Sequence, residues 1–116
     1  MLIRVNPASE VALYEQLAAS VRSEVIRGAL TGGERLPSAR ELASTLDVNV
    51  HTVLRAYQML RDEGLIELRQ GRGATVTARA KDYAALATLI PQLVAEAKRL
   101  ELTPAALTAL IREAYQ

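Results

Sequence analysis

The sequence predicts a mainly α-helical protein in which three helices are followed by a β-hairpin and then by two further helices. Apolar residues recur at intervals of three and four positions through most of the chain, which places them on one face of a helix. Between residues 65 and 77 the pattern changes to short strands separated by glycines. The chain has four tyrosines but no phenylalanine or tryptophan, so we expect an aliphatic core between packed helices.

The first helix is predicted from Ser9 to Arg27, where apolar residues recur at helical spacing. Gly28 follows it, and glycine is the usual residue just after a helix end because it adopts left-handed backbone angles. We expect a loop over residues 30–37, which contain two adjacent glycines and a proline.

The next two helices are predicted from their caps. Ser38 followed by Glu41 is the pattern of a capping box, which begins a short second helix. Asp47 is predicted in the turn after it, because aspartate tolerates unusual backbone angles. Asn49 is predicted to cap a third helix, which Gly64 ends.

A hairpin follows the third helix. Residues 65–68 and 74–77 read as short strands, and residues 69–73 between them contain the glycines of a hairpin tip. Two short helices joined by a tight turn and followed by such a hairpin are typical of a winged helix-turn-helix. We therefore expect a winged helix-turn-helix domain over residues 1–78.

Residues 79–116 are predicted to form a helical tail. Its first helix is expected over residues 82–100, with Pro91 kinking or interrupting it. Thr103 is the expected cap of the second helix, and Pro104 occupies the first helical position, which favours proline. Both helices carry apolar stripes with thin polar faces, so they must pack on something. A second copy of the tail is the predicted partner, and folding back onto the first domain is the alternative.

The charge distribution is informative although the net charge is only +1. Residues 49–61 and 69–81 contain basic residues, whereas neither segment has an acidic residue. These segments are compatible with a positive face that binds nucleic acid. They are equally compatible with two solvated stretches of an ordinary surface.

Long polar side chains share one face of the predicted third helix. His51, Arg55 and Gln58 are expected to be exposed, with Thr52 at the edge of this face. The opposite, core-facing residues are Val53, Ala56, Tyr57 and Leu60. Readout of the major groove requires hydrogen-bonding side chains that project together from the N-terminal half of a helix. Considered alone, however, this helix is better explained by an ordinary amphipathic helix with a polar, solvated face.

The residues that catalysis or metal binding would need are missing. The chain has no cysteine, and His51 is its single histidine, whereas a zinc site needs several such ligands. Ser38 lacks the glycine elbow and neighbouring base of a nucleophile. No apolar run approaches the roughly 20 residues that span a bilayer, and the N-terminus lacks a signal-peptide pattern. We expect a cytoplasmic protein that is no enzyme and binds no cofactor, metal or membrane.

Several segments together resemble the DNA-binding domain of the GntR family of bacterial repressors. They are Leu36–Ala43, Asn49–Val53, Ala56–Tyr57, Glu63–Ile66 and Gln70–Gly73. Residues 13–17 are similar to the family's first helix. The resemblance covers residues 10–78 in the family's order and spacing, so the set is far more specific than any single segment.

The resemblance implies a set of DNA-binding residues at three places. They are Ser38, Arg40, Asn49, His51, Thr52, Arg55, Gln70, Gly71 and Arg72. The first two lie at the start of the second helix, the next four lie on the third helix, and the last three form the wing tip. Val50 stands where many members have an arginine, which argues against a base contact there. Asp47 replaces the usual turn glycine.

The two tail helices resemble the short YtrA-type subfamily, whose tail serves dimerisation. The tail is too short for the large effector-binding domains of other members, so an effector would have only the dimer seam or the groove between domains. We thus predict a repressor that binds an inverted-repeat operator in double-stranded DNA as a homodimer through its C-terminal helices. The alternative is a winged helix that serves as a protein-interaction module. The expected gathering of Arg40, Arg55 and Arg72 argues against it.

Overall fold

The computed structural model describes residues 3–69 and 73–116 and divides the chain into two compact units, Met1–Ala84 and Ala85–Gln116. In chain order the elements are α1 (Leu13–Ile26), β1 (Arg35–Leu36), α2 (Ala39–Leu46), α3 (Val50–Asp62), β2 (Ile66–Arg69), β3 (Gly73–Val76), a 3₁₀ helix (Ala78–Tyr83), α4 (Ala84–Arg99) and α5 (Pro104–Ala114). The predicted order of three helices, a hairpin and two helices is confirmed.

Helix α3 is the centre of the first unit, because α1, α2 and β2 all pack against it. The buried core residues are Leu17, Ala18, Val21, Val25, Leu30, Leu36, Leu42, Ala43, Val53, Ala56, Tyr57, Leu60, Leu65, Ile66, Ala74 and Val76. All of them except Tyr57 are aliphatic, as the composition predicts. The predicted inward face of α3 is confirmed as buried.

The sheet is antiparallel with the strand order β1-β3-β2. Strand β1 pairs Leu36 with Ala74, so the prediction of an unbroken loop over residues 30–37 is wrong at its end. Two further hydrogen bonds continue this connection, from the amide of Gly33 to the carbonyl of Val76 and from the amide of Val76 to the carbonyl of Glu34, both 2.8 Å. A strand of two residues whose partner is so distant in sequence leaves no local pattern to detect.

Helix α1 begins at Leu13 rather than at Ser9. The preceding residues form turns that the side chain of Gln16 holds in place. Its Oε1 accepts a hydrogen bond from the amide of Asn6 at 2.7 Å, and its Nε2 donates to the carbonyl of Val11 at 2.8 Å. These bonds satisfy backbone groups of the residues before α1. The segment therefore does not need a further helical turn to pair those groups.

The predicted N-caps of α2, α3 and α5 are confirmed. In each case a side-chain oxygen accepts a hydrogen bond from a backbone amide of the first turn, which would otherwise lack a partner. The pairs are Ser38 with Glu41 at 3.1 Å, Asn49 with His51 at 2.8 Å, and Thr103 with Ala106 at 3.1 Å.

The second unit consists of most of α4, a short turn and α5. Helix α4 runs without a break through Pro91, so the predicted interruption is wrong. Proline removes one amide donor, and the remaining hydrogen bonds of this 16-residue helix keep it continuous. The helix ends where Glu101 takes left-handed angles, with φ 59°, and the amide of Leu102 donates to the carbonyl of Ala97 at 2.9 Å.

A 3₁₀ helix precedes α4 and packs against α1; no such element is predicted from the sequence. Just before it, the Oγ1 of Thr77 donates to the carbonyl of Gly64 at 2.7 Å. Gly64 has φ +81°, and the guanidinium of Arg79 lies where a β-carbon would point. Glycine is therefore favoured at the end of α3 for its backbone angles, whereas the Arg79 side chain could move away from a β-carbon there.

Candidate nucleic-acid interface

The start of α2 is fixed to α3 by a buried tyrosine. Tyr57 lies on the inward face of α3, and its hydroxyl donates to the carbonyl of Pro37 at 2.7 Å. Burial, and to a lesser extent the negative charge of Glu41, raises the pKa of Tyr57 above its usual value of 10.0, so the hydroxyl keeps its proton. The residue after Pro37 is the cap Ser38, so this bond sets where the first turn of α2 begins.

The turn between α2 and α3 is formed by Asp47, which has left-handed angles with φ 56° and ψ 49°. This confirms the predicted role of Asp47 as a residue that replaces a turn glycine. The amide of Val48 then donates to the carbonyl of Ala43 at 3.0 Å. Since α2 and α3 also pack on each other, the turn holds the first turn of α3 in a defined direction from α2.

The predicted outward face of α3 is confirmed as exposed at His51, Arg55 and Gln58, whereas Thr52 is half-buried. Asn49 uses its Oδ1 to cap the helix, which leaves the two amide hydrogens of its side chain for another acceptor. The first turn of α3 therefore presents donors from two residues, Asn49 and His51, to solvent. Their roles in DNA binding stay predictions.

Arg40 is exposed in the first turn of α2 and has no carboxylate partner among the described residues. Several arginines elsewhere are neutralised by acidic neighbours. The ion pairs are Arg22 with Glu63, Arg27 with Glu24, Arg61 with Asp62, Arg69 with Glu67, and Arg99 with Glu96. Two of the arginines in the basic segments, Arg61 and Arg69, are thus paired. Within residues 3–69 and 73–116, Arg40 in α2 and Arg55 in α3 are exposed arginines without a carboxylate partner.

The sequence does not indicate the contact that orients Arg55. The carbon at the centre of its guanidinium lies 3.8 Å from the centre of the Tyr14 ring. Tyr14 is half-buried in the first turn of α1, and it belongs to the helical spacing of apolar residues that predicts this helix. The contact depends on how α1 crosses α3, which neither helix encodes by itself.

The base of the predicted wing is described, and its tip is not. Strands β2 and β3 pair in register from Ile66 with Val76 to Arg69 with Gly73, as a hairpin requires. The three predicted wing-tip contacts, Gln70, Gly71 and Arg72, lie outside the described residues. Their assignment remains a prediction from the sequence.

The described residues, 3–69 and 73–116, also bear on metal binding and on membrane insertion. No group of three or more histidine and acidic side chains there could hold a metal ion. No helix in that part of the chain combines the length and the apolar character needed to cross a membrane.

Comparison with known proteins identifies the fold and the family pattern. The profile described as "Bacterial regulatory proteins, gntR family" matches residues 13–76. The HTH-type transcriptional repressor YtrA of Bacillus subtilis is 38% identical over 80 residues, which are 69% of this chain and 62% of that repressor. The chain thus spans less than two thirds of this relative's length.

Two solved structures share the fold. The structure of YtrA from Sulfolobus acidocaldarius, a GntR-family transcription factor, superposes with a TM-score of 0.62 at 37% identity and covers 75% of this chain and 99% of that one. The DNA-binding domain of AraR, solved in complex with operator ORX1, superposes with a TM-score of 0.57 at 28% identity and covers 64% of this chain and 92% of that one.

Proposed function

The chain belongs to the GntR family of bacterial regulatory proteins, and we propose that it is a repressor that binds an inverted-repeat operator as a homodimer. One observation carries the proposal. The N-terminal half of α3 exposes His51 and Arg55, and two exposed arginines, Arg40 in α2 and Arg55 in α3, have no carboxylate partner among the described residues. Phosphate binding needs positive charge that no carboxylate already neutralises. Groove readout needs a helix whose exposed face carries polar side chains.

In the proposed complex the N-terminal half of α3 lies in the major groove. His51 and the side-chain amide of Asn49 face base edges or nearby phosphates, with Thr52 beside them. At the start of α2, the free backbone amides next to Ser38 face a phosphate, and Arg40 reaches a base edge. The wing-tip residues Gln70, Gly71 and Arg72 would follow the backbone into the adjacent minor groove. A regulator of this kind acts in the cytoplasm, where the chromosome lies.

We assign DNA binding to residues 1–78 and dimerisation to the helices of residues 79–116. Helix α4 exposes Leu86, Leu89, Ile90 and Leu93, which recur at the spacing of one helical face. An exposed apolar stripe of this kind marks a protein contact. If the stripe packs against the same stripe of a second copy, the two chains form a dimer with two-fold symmetry. In such a dimer the two reading helices would lie roughly 34 Å apart.

The alternative is a protein-interaction module that binds no specific DNA. Both readings keep the winged helix, but they differ in what the arginines do. If the surface binds phosphates, affinity must fall steeply with salt because counterions are released from the DNA. A protein-interaction module would show no salt-dependent affinity for DNA of this kind.

Selection of bound duplexes from a random DNA pool tests the proposal. We expect enrichment of an inverted repeat whose half-sites are about 10 base pairs apart, centre to centre. Arg40→Ala should lower affinity for the enriched duplex by about 1–3 kcal/mol and relax one position in each half-site.

The matched control is Arg61→Ala, which removes an exposed arginine from the far end of α3, where Asp62 already pairs with it. This variant should bind the enriched duplex nearly as well as the parent. If the parent chain enriches no sequence, or if affinity does not change between low and high salt, the protein-interaction reading replaces the proposal.

A further inference from the structure

Tyr14 and Arg55 form a contact that the predicted DNA-binding set does not contain. Arg55 is exposed on α3, and its guanidinium lies over the face of the Tyr14 ring, with 3.8 Å between the guanidinium carbon and the ring centre. A cation at this distance is attracted by the electron-rich face of an aromatic ring. Helix α1, which the sequence assigns to the core, therefore reaches the exposed side of α3 with one side chain.

The geometry leaves the hydrogen-bonding capacity of Arg55 unused. Stacking occupies the flat face of a guanidinium, whereas its five N–H donors point outward in the plane of the group. Within residues 3–69 and 73–116 no carboxylate pairs with Arg55. In contrast, the Nε and Nη2 of Arg22 donate to both carboxylate oxygens of Glu63, each at 2.7 Å. The ring thus holds the Arg55 guanidinium in one place, as Glu63 holds that of Arg22, but the N–H donors of Arg55 remain available for an anion.

Tyr14 is well suited to hold this cation. Its hydroxyl lies 3.3 Å from the Oε1 of Glu15, to which it donates, and donation to a carboxylate increases the electron density of the ring. Because the ring is half-buried in the first turn of α1, it has little freedom of its own. The guanidinium is drawn sideways from α3 toward α1, and a side chain that leans to the flank of a reading helix faces the edge of the groove, where the phosphates lie.

We propose that Tyr14 is a positioning residue that holds the Arg55 guanidinium toward a DNA backbone phosphate beside α3. The inference rests on the proposed function and names a residue on α1 as part of the interface. The arginine supplies the charge-assisted hydrogen bonds to the phosphate. The tyrosine restricts the arginine to one direction before DNA arrives, which lowers the entropic cost of the contact.

A double-mutant cycle on the full chain tests the inference, with the enriched duplex and a scrambled duplex of equal length as probes. Arg55→Ala should lower affinity for both duplexes by a similar factor and reduce the salt slope by about 1. Tyr14→Leu should lower affinity by about 2- to 5-fold, as expected for an exposed cation–π contact. Tyr14→Phe, which keeps the ring face, should restore most of the affinity.

The decisive comparison is Tyr14→Leu in the Arg55→Ala background, where it should have no further effect. If it lowers affinity as much there as in the parent, Tyr14 acts on the fold and the inference is wrong. If Arg55→Ala weakens binding to the enriched duplex alone, Arg55 reads a base and the phosphate assignment is wrong.

A readout without DNA separates this inference from the proposed function. The ring current of Tyr14 should shift the δ-proton NMR signals of Arg55 upfield in the free chain, and Tyr14→Leu should abolish the shift. If the shift is absent, the inference fails even when the parent chain binds an operator. If the parent chain binds neither duplex, the proposed function fails, and the phosphate role of Arg55 fails with it.

Discussion

The two units of the chain treat similar apolar residues in opposite ways. In the first unit Leu60 and Leu65 are fully enclosed, each with 0% of its surface exposed. In the second unit Leu89 and Leu110 are 55% and 53% exposed, although both lie on regular helices. The first unit completes its own core within about 80 residues, whereas the helices of the second unit leave most of their apolar side chains uncovered.

This difference indicates where the stability of each unit comes from. Burial of aliphatic side chains stabilises the first unit from within. In the second unit Ala97 is the buried hydrophobic residue, and local features such as the cap at Thr103 hold the helices. Isolated helices of this length are marginal in water. The second unit is therefore expected to depend on a partner surface, for which we propose a second copy of the chain.

The largest expected effect is a difference in stability between a variant at a buried leucine of the first unit and a variant at an exposed leucine of the second unit. Leu60→Ala should destabilise the first unit by about 2–5 kcal/mol, because it removes buried methylene groups and leaves a cavity. The matched variant Leu89→Ala should change the stability of the first unit by less than about 0.5 kcal/mol. Urea titration followed through the amide NMR signals of α3 measures both. Equal losses in the two variants would mean that the contrast between the units is not a contrast in stability.

The next effect concerns the proposed dimer. Ile90→Glu places a charge on the exposed apolar face of α4, and burying that charge against a partner without compensation is costly. We expect the dimer dissociation constant to rise at least about tenfold, which corresponds to about 1.4 kcal/mol. Thr88→Glu adds the same charge on another face of α4 and should leave the dimer intact. Sedimentation at micromolar concentration decides, and a monomeric parent chain would refute the assignment.

A smaller effect is expected from the link between α2 and α3. Tyr57→Phe removes the donor to the carbonyl of Pro37 and leaves that acceptor without its bond, at a cost of about 1–2 kcal/mol. Urea unfolding measures the loss. An unchanged stability would show that water replaces the hydroxyl, and the start of α2 would then not depend on Tyr57.

The same tyrosine makes stability depend on alkaline pH. Its pKa is raised in the folded chain, so the folded state binds the proton more tightly than the unfolded state does. This contribution is fully present below the usual value of 10.0 and is lost as pH rises above it toward the folded pKa. The parent chain should therefore lose more stability above pH 10 than Tyr57→Phe does, which urea unfolding at several pH values measures.

The smallest effects come from equivalent caps in the two units. Ser38→Ala and Thr103→Ala each remove a side-chain acceptor from a helix start, and each should cost about 1 kcal/mol locally. Ser38→Ala should lower the stability of the first unit. Thr103→Ala should instead lower helicity and weaken the proposed dimer, without affecting the amide exchange of α3. If both variants destabilise the first unit equally, the two units do not behave independently.

The features that the sequence predicts correctly are encoded over a few residues. The caps at Ser38, Asn49 and Thr103 and the turn at Asp47 each depend on neighbours within about four positions. The inward face of α3 follows from helical periodicity alone. These signals are enough to predict the order of elements and the exposed face of the reading helix.

Several features that the sequence does not reveal join distant positions. Strand β1 exists because residues 35 and 36 meet β3. The contact between Tyr14 and Arg55 and the ion pair between Arg22 and Glu63 both require α1 to cross α3 at a particular angle. Such contacts are properties of the packed fold, and no local spacing rule contains them.

The short strand β1 has a consequence for how the first unit folds. Pairing between β2 and β3 closes a small loop, whereas pairing of Leu36 with Ala74 closes one that contains all of α2, α3 and β2. Closing a long loop costs more chain entropy than closing a short one. Native contacts compensate for this cost only after the intervening helices have formed. Strand β1, which leads into α2, should thus pair with β3 late in folding. A substitution that weakens this pairing should speed unfolding and leave the folding rate almost unchanged.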